Sequence, residues 1–218
     1  TADDGQQSAG GGHSSAVDEQ FLNSLADGTP TPGGGSVAAY AAAMAAGLVA
    51  MVARLTIGKK KYAEVESQMQ AILEESETLR EELGIAVERD AQAFEAIMDA
   101  YRLSKEHLQR QAMIQEATLH AAEIPLEVAS QAFRVMELAV ELASLGNLNA
   151  ITDAASGAAM AQAAISSAGY NVRINVLSLD DQSAAETLLD MLSSIEQGTA
   201  QLQAQIKRQL VERGGLAL

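Results

Sequence analysis

Between residues 65 and 101, apolar side chains recur in steps of three, four or seven: Val65, Met69, Ile72, Leu79, Leu83, Val87, Phe94, Ile97 and Tyr101. That spacing draws one stripe along a helix and demands an apolar partner over its whole length. A chain carrying such a seam is predicted to be a bundle of long antiparallel helices. The last helix repeats the device after Asp180 and Asp181, through Leu188, Leu192, Ile195, Thr199, Leu202, Ile206 and Leu210. Ser76 and Asp90 stand on the first seam where an apolar residue is expected, and Gly84 is a candidate bend.

The rest of the chain is also helical in pattern. A short helix over residues 18–26 sets Phe21, Leu22 and Leu25 on one side. Residues 36–57 hold nine alanines, with Arg54 the one formal charge. Their length suits a membrane span, but alanine is barely apolar and no other segment is there to partner it. The expectation is a central helix packed on all sides, with its alanines and Gly47 letting neighbouring backbones come close. Pro125 interrupts a run over residues 105–145, starting a new helix or kinking one, and Gly146 is placed to end it. A second alanine-rich helix is expected from Thr152 or Asp153 through Asn175. The fold class predicted is all-α, an antiparallel bundle of about six helices. Two nearly all-apolar helices exceed what one small bundle needs, which favours a homodimer. Residues 1–16, rich in Gly, Ser, Gln and Asp, read as a disordered leader that includes His13, and residues 17–218 as one domain.

Composition narrows the chemistry. There is no cysteine, which excludes disulfides, a thiol nucleophile and cysteine metal sites, and fits a cytoplasmic setting. A net charge of −15 argues against nucleic acid, because phosphate contacts need clustered Lys and Arg. The first twenty residues carry four acids, no Lys or Arg and no apolar run, unlike an export signal. His13, His107 and His120 lack metal-ligand spacing, so no metal site is expected. No membrane partner is expected either. Chemistry must then rest on carboxylates, amides, lysines and backbone donors.

Each candidate admits two readings. Pro30, Thr31 and Pro32 lead into Gly33, Gly34, Gly35 and Ser36. Ser36 is a good N-cap for the helix that follows, and the glycine N–H groups form a natural site for an anion; the alternative is a plain turn. One helix of roughly 33 Å separates this loop from Lys59, Lys60 and Lys61, the one basic triplet, which suits an anionic ligand or simply a solvated helix end. Asp90 is either a carboxylate with a perturbed pKa at a site or a residue where the seam opens to solvent. Asp153 is an N-cap or faces a ligand. Asn171 and Asn175 share one helix face with Arg173 nearby, either to bond a flat heterocycle or to link helices in the core.

Taken together, PTPGGGS, LTIGKKKY, the stretch GNLNAITD from Gly146 to Asp153, and NVRIN from Asn171 to Asn175 resemble the cyclodeaminase/cyclohydrolase family of folate enzymes. The resemblance spans about residues 18–213, with Thr152 where serine is common. It implies a helical homodimer acting on a tetrahydrofolate derivative, with no cofactor beyond that substrate. It implies hydrolysis of 5,10-methenyltetrahydrofolate to 10-formyltetrahydrofolate, with formimidoyltetrahydrofolate cyclodeamination as the alternative and a non-catalytic folate-binding scaffold behind both. The implied acid–base and cation-stabilising residues are Asp153 and Asp90. The implied substrate contacts are Gly33, Gly34, Gly35, Ser36, Asn147, Asn149, Asn171, Arg173 and Asn175, with Lys59, Lys60 and Lys61 for a glutamate or polyglutamate tail.

Overall fold

The computed structural model describes residues 15–217. Six helices follow in order: α1 (Ser15–Ala26), α2 (Gly34–Thr56), α3 (Glu66–Arg102), α4 (Arg110–Leu145), α5 (Ile151–Val176) and α6 (Gln182–Glu212). Two short 3-10 turns, Lys60–Val65 and Leu148–Ala150, join α2 to α3 and α4 to α5. His13 and all but the last two residues of the expected leader lie outside the described residues. Among the described residues the secondary structure is helical, as the periodicity predicted.

From α2 to α6 each helix runs antiparallel to the one before it. Arg54 meets Glu77 and Ser36 meets Asp90 across α2 and α3; Arg134 meets Glu75 and Arg89 meets Glu127 across α3 and α4. Asn175 reaches Ala121 across α4 and α5, and Arg173 reaches Glu196 across α5 and α6. The seam of α3 turns inward as its spacing demands: Met69, Ile72, Leu79 and Leu83 are buried, and Ser76 is buried with its hydroxyl donating to the Leu73 carbonyl. Tyr101, at the seam's end, is half exposed. The helix passes Gly84 without interruption.

Helices α2, α4 and α5 form the centre, where alanine is the commonest buried residue. Small side chains permit close helix approach, and Gly157 is the glycine that uses it. A Cβ there would sit 3.3 Å from the Ala45 carbonyl oxygen. Gly47 was expected in that role, yet a Cβ at Gly47 meets only the Arg80 side chain at 3.8 Å. Nor is α2 packed all round. It packs on α3, α4 and α5 but leaves a stripe with Met44, Met51 and Leu55 at 43%, 36% and 43% exposure. Among the described residues it alone is long and apolar enough to cross a membrane, but more than half of that stretch is buried inside the bundle.

Pro125 neither starts nor ends a helix: α4 runs through it from Arg110. Gly146 closes α4 as expected, its N–H donating to the Leu142 carbonyl at 2.8 Å. Asp181 caps α6 by accepting from the Ala184 N–H at 3.0 Å.

Candidate functional site

The antiparallel order sorts the sequence motifs into two clusters at opposite ends of α2 and α5. At the first end, α2 begins at Gly34, α3 passes Asp90, and α5 ends through Asn171 and Asn175. These frame a cleft of about 340 Å³. Pro30, Thr31 (whose bond to Pro32 is cis) and Gly33 to Gly35 form one wall; Ala93, Phe94, Ile97, Ala121 and Ile174 give it an apolar lining. No Lys, Arg or His is among the lining residues.

Asp90 is the centre of this cluster. Its carboxylate accepts the Ser36 hydroxyl at 2.9 Å and also the Ser36 backbone N–H. Ser36 is therefore not the N-cap. Gly33 takes that position, in extended backbone, and Ser36 is buried in the first turn with its hydroxyl on Asp90 and the Val87 carbonyl. A helix N-terminus favours negative charge. The anion this one receives is the protein's own carboxylate.

The approach is so close that a Cβ on Gly35 would lie 1.9 Å from Asp90 Oδ1. Glycine at 35 is thus dictated by the carboxylate across from it. Burial pushes the Asp90 carboxyl above its usual range, and the two Ser36 bonds oppose that shift without cancelling it. An aspartate on an apolar seam is thereby explained: it sits at the edge of a cleft, half-buried, with donors on one side.

Asn171 and Asn175 both line the cleft from α5. Each has one amide N–H on a main-chain carbonyl: Asn171 on Ser167 at 2.9 Å, Asn175 on Ala121 at 2.6 Å. Arg173, two residues from each, projects to another side of the helix. It pairs with Glu196 of α6 at 2.8 Å and does not line the cleft.

The second cluster sits where α2 ends. Along α5, Asp153 is about 27 Å from Asn171, at 1.5 Å per residue. Lys59, Lys60 and Lys61 are exposed here, with Lys61 Nζ 5.4 Å from the Tyr62 ring centre. Asn147 is buried and fully engaged within the protein. Its side-chain amide donates to the Leu55 carbonyl at 2.9 Å, its oxygen accepts the Asn149 N–H, and its own N–H goes to Thr56 Oγ1. Asn149 is exposed. Asp153 is half-buried in the first turn of α5; the cap position falls at Ala150. Asp153 is thus not the N-cap that its residue type suggested.

Three residues that hold these clusters together were given no role by sequence reasoning, although Thr56 and Tyr62 belong to the motif LTIGKKKY. Tyr62 accepts the Leu148 N–H at 2.9 Å, which pulls its phenol below the usual range with help from Lys61. That bond ties the lysine motif to the asparagine motif; its signal was adjacency, since Tyr62 directly follows the triplet. Thr56 bridges α2 to Asn147 in the same way. Arg213 donates to the Ala143 and Gly146 carbonyls, closing the end of α4.

The comparisons with known proteins bear on all of these motifs. A methenyltetrahydrofolate cyclohydrolase from Methylorubrum extorquens is 45% identical over 181 residues, 81% of this chain and 87% of that protein. The formimidoyltransferase-cyclodeaminase of Mus musculus is 30% identical over 181 residues, and the match takes in 34% of its length. The crystal structure of a formiminotetrahydrofolate cyclodeaminase from Thermotoga maritima superposes with a TM-score of 0.83 at 31% identity, covering 88% of this chain and 94% of that one. Since the formiminotransferase-cyclodeaminase family model also matches residues 18–194, the chain belongs to that family.

Proposed function

We propose that this protein is a methenyltetrahydrofolate cyclohydrolase, converting 5,10-methenyltetrahydrofolate and water to 10-formyltetrahydrofolate and a proton. The observation that carries the proposal is the character of the first cleft: a half-buried carboxylate, an apolar lining, and no Lys, Arg or His beside it. The substrate's reactive carbon belongs to an amidinium cation between N5 and N10. A cleft of this kind lacks a countercharge, and such a cation supplies one. The 45% identity to a cyclohydrolase over most of both chains supports the same reaction.

In the mechanism that follows, Asp90 stabilises the cation and accepts a proton as water adds to the carbon. The new C–O bond gives a tetrahedral intermediate. Breaking the C–N5 bond, with the proton on Asp90 passed to N5 and the hydroxyl proton of the intermediate released to solvent, leaves the formyl group on N10. Phe94, Ile97 and Ile174 give the ring an apolar surface, while Asn171 and Asn175 hold its polar edge. Ser36 keeps Asp90 in place through its hydroxyl and backbone N–H.

The second cluster enters through a second copy. Two clusters about 27 Å apart on one protomer form one site only if two protomers contribute to it. The exposed stripe with Met44, Met51 and Leu55 between them supports pairing along α2. In that homodimer the partner brings Asp153 and Asn149 toward the reacting carbon, and Lys59 to Lys61 toward the glutamate tail. The expected compartment is the cytoplasm, on the absence of cysteine.

The test is to follow the absorbance of 5,10-methenyltetrahydrofolate with purified protein and identify the product. Decay well above the buffer rate with 10-formyltetrahydrofolate formed supports the proposal; no acceleration removes it. The second reading, ammonia release from 5-formimidoyltetrahydrofolate, is supported by the match to the Thermotoga maritima cyclodeaminase. An ammonia assay on the same preparation decides it.

A further inference from the structure

We propose that Pro125 is a positioning residue for the cleft, and that it acts by fixing which atom of the Asn175 amide a ligand meets. A proline inside a helix has no N–H for the carbonyl four residues earlier, and its ring crowds that carbonyl. Pro125 lies inside α4, so the carbonyl left without its helical partner is that of Ala121. The side chain of Asn175, on the facing helix α5, donates its Nδ2 to this carbonyl oxygen at 2.6 Å.

The amide orientation is then determined, because only the NH2 end can bond a carbonyl oxygen. Asn175 lines the cleft, and so does Ala121. With Nδ2 held by α4, Oδ1 is left without a protein donor among the described residues. Asn171 is set the same way, its Nδ2 on the Ser167 carbonyl at 2.9 Å. Two amide oxygens and the Asp90 carboxylate therefore make an acceptor wall. Such a wall selects ring N–H and exocyclic amino donors, the chemistry of the aminopyrimidinone edge of a reduced pterin. This last step rests on the folate reading above; the role of Pro125 does not.

The experiment uses Pro125→Ala, which restores the helical N–H and competes for the Ala121 carbonyl. Alanine is the better helix residue, so thermal stability is expected to hold or rise. The Asn175 side-chain NH2 resonances, assigned by their loss in Asn175→Leu, should exchange with solvent faster in Pro125→Ala than in the wild type. KM for 5,10-methenyltetrahydrofolate should rise about three- to tenfold with kcat little changed, the weight of one hydrogen bond. On an Asn175→Leu background, Pro125→Ala should add nothing to KM. Unchanged exchange and KM overturn the proposal. So does a fall in melting temperature and kcat together, which marks a purely structural proline. If the wild type turns over no methenyl substrate, the folate reading fails, and the exchange measurement still decides the role of Pro125.

Discussion

The two ends of α2 hold motifs of similar look and opposite construction. At the start of the helix, glycines admit a side chain: Asp90 occupies the N-terminus, and the cleft beside it carries no cation. At the far end, polar residues serve the backbone: Asn147 and Thr56 bind α2 to the connection before α5, and Tyr62 holds Leu148. One end conserves unused acceptors at a cavity. The other uses its polar atoms to tie two connections together, beside which Asn149, Asp153 and three lysines lie. The difference teaches that residue type alone does not separate a ligand group from a structural one; the fate of each donor and acceptor does.

Removing the acceptor end should have the largest effect. Asp90→Asn is expected to lower kcat about 10²- to 10⁴-fold, the range for a lost acid–base group, as read by decay of methenyl absorbance. A loss under threefold would place the chemistry elsewhere. Next comes Gly35→Ala, whose Cβ collides with the same carboxylate. Activity should fall toward that of Asp90→Asn, with stability reduced by roughly 1–3 kcal/mol in urea titrations; normal activity would show that the approach is looser than described.

Charge at Asp90 gives two further tests with defined signs. The Ser36 hydroxyl favours the ionised carboxylate. Ser36→Ala should raise the Asp90 pKa further and move the acid limb of kcat/KM to higher pH. A limb that stays put would mean that another group titrates there. For stability, the folded state holds its Asp90 proton to higher pH than the unfolded chain does. It therefore loses stability as pH rises from the ordinary carboxylate value through the raised one. Asp90→Asn should melt higher than the wild type at neutral pH, with the advantage vanishing in acid. Equal melting points at both pH values would contradict burial as the dominant cause. The smallest effect belongs to the exposed end: replacing Lys59, Lys60 and Lys61 by Gln should raise KM only severalfold, more for polyglutamylated than monoglutamylated substrate, and less at high salt.

Much of the fold was legible because periodicity reports burial directly. The α3 and α6 seams, the cap at Asp181 and the stop at Gly146 all follow from local chemistry. What the sequence hid was set by partners distant along the chain. Ser36 has the residue type of an N-cap, yet its hydroxyl faces Asp90, fifty-four residues on. Arg173 shares a motif with two cleft asparagines but points to Glu196, because neighbours two apart on a helix face different ways. Pro125 reads as starting a new helix or kinking one, and α4 runs through it from Arg110. Residues 33–36 read as an anion site or a plain turn; that an internal carboxylate, Asp90, sits against them needed the structure.

The central claim is that both ends of α2 work in one active site built by two copies. Subunit complementation tests it most directly: Asp90→Asn and Asp153→Asn proteins, each inactive alone, are mixed, allowed to exchange subunits and assayed. In a twofold dimer one site of each mixed pair keeps both aspartates, so about a quarter of wild-type activity should return. Activity no greater than that of the separate variants, once exchange is verified, would contradict the shared site and confine the chemistry to one protomer.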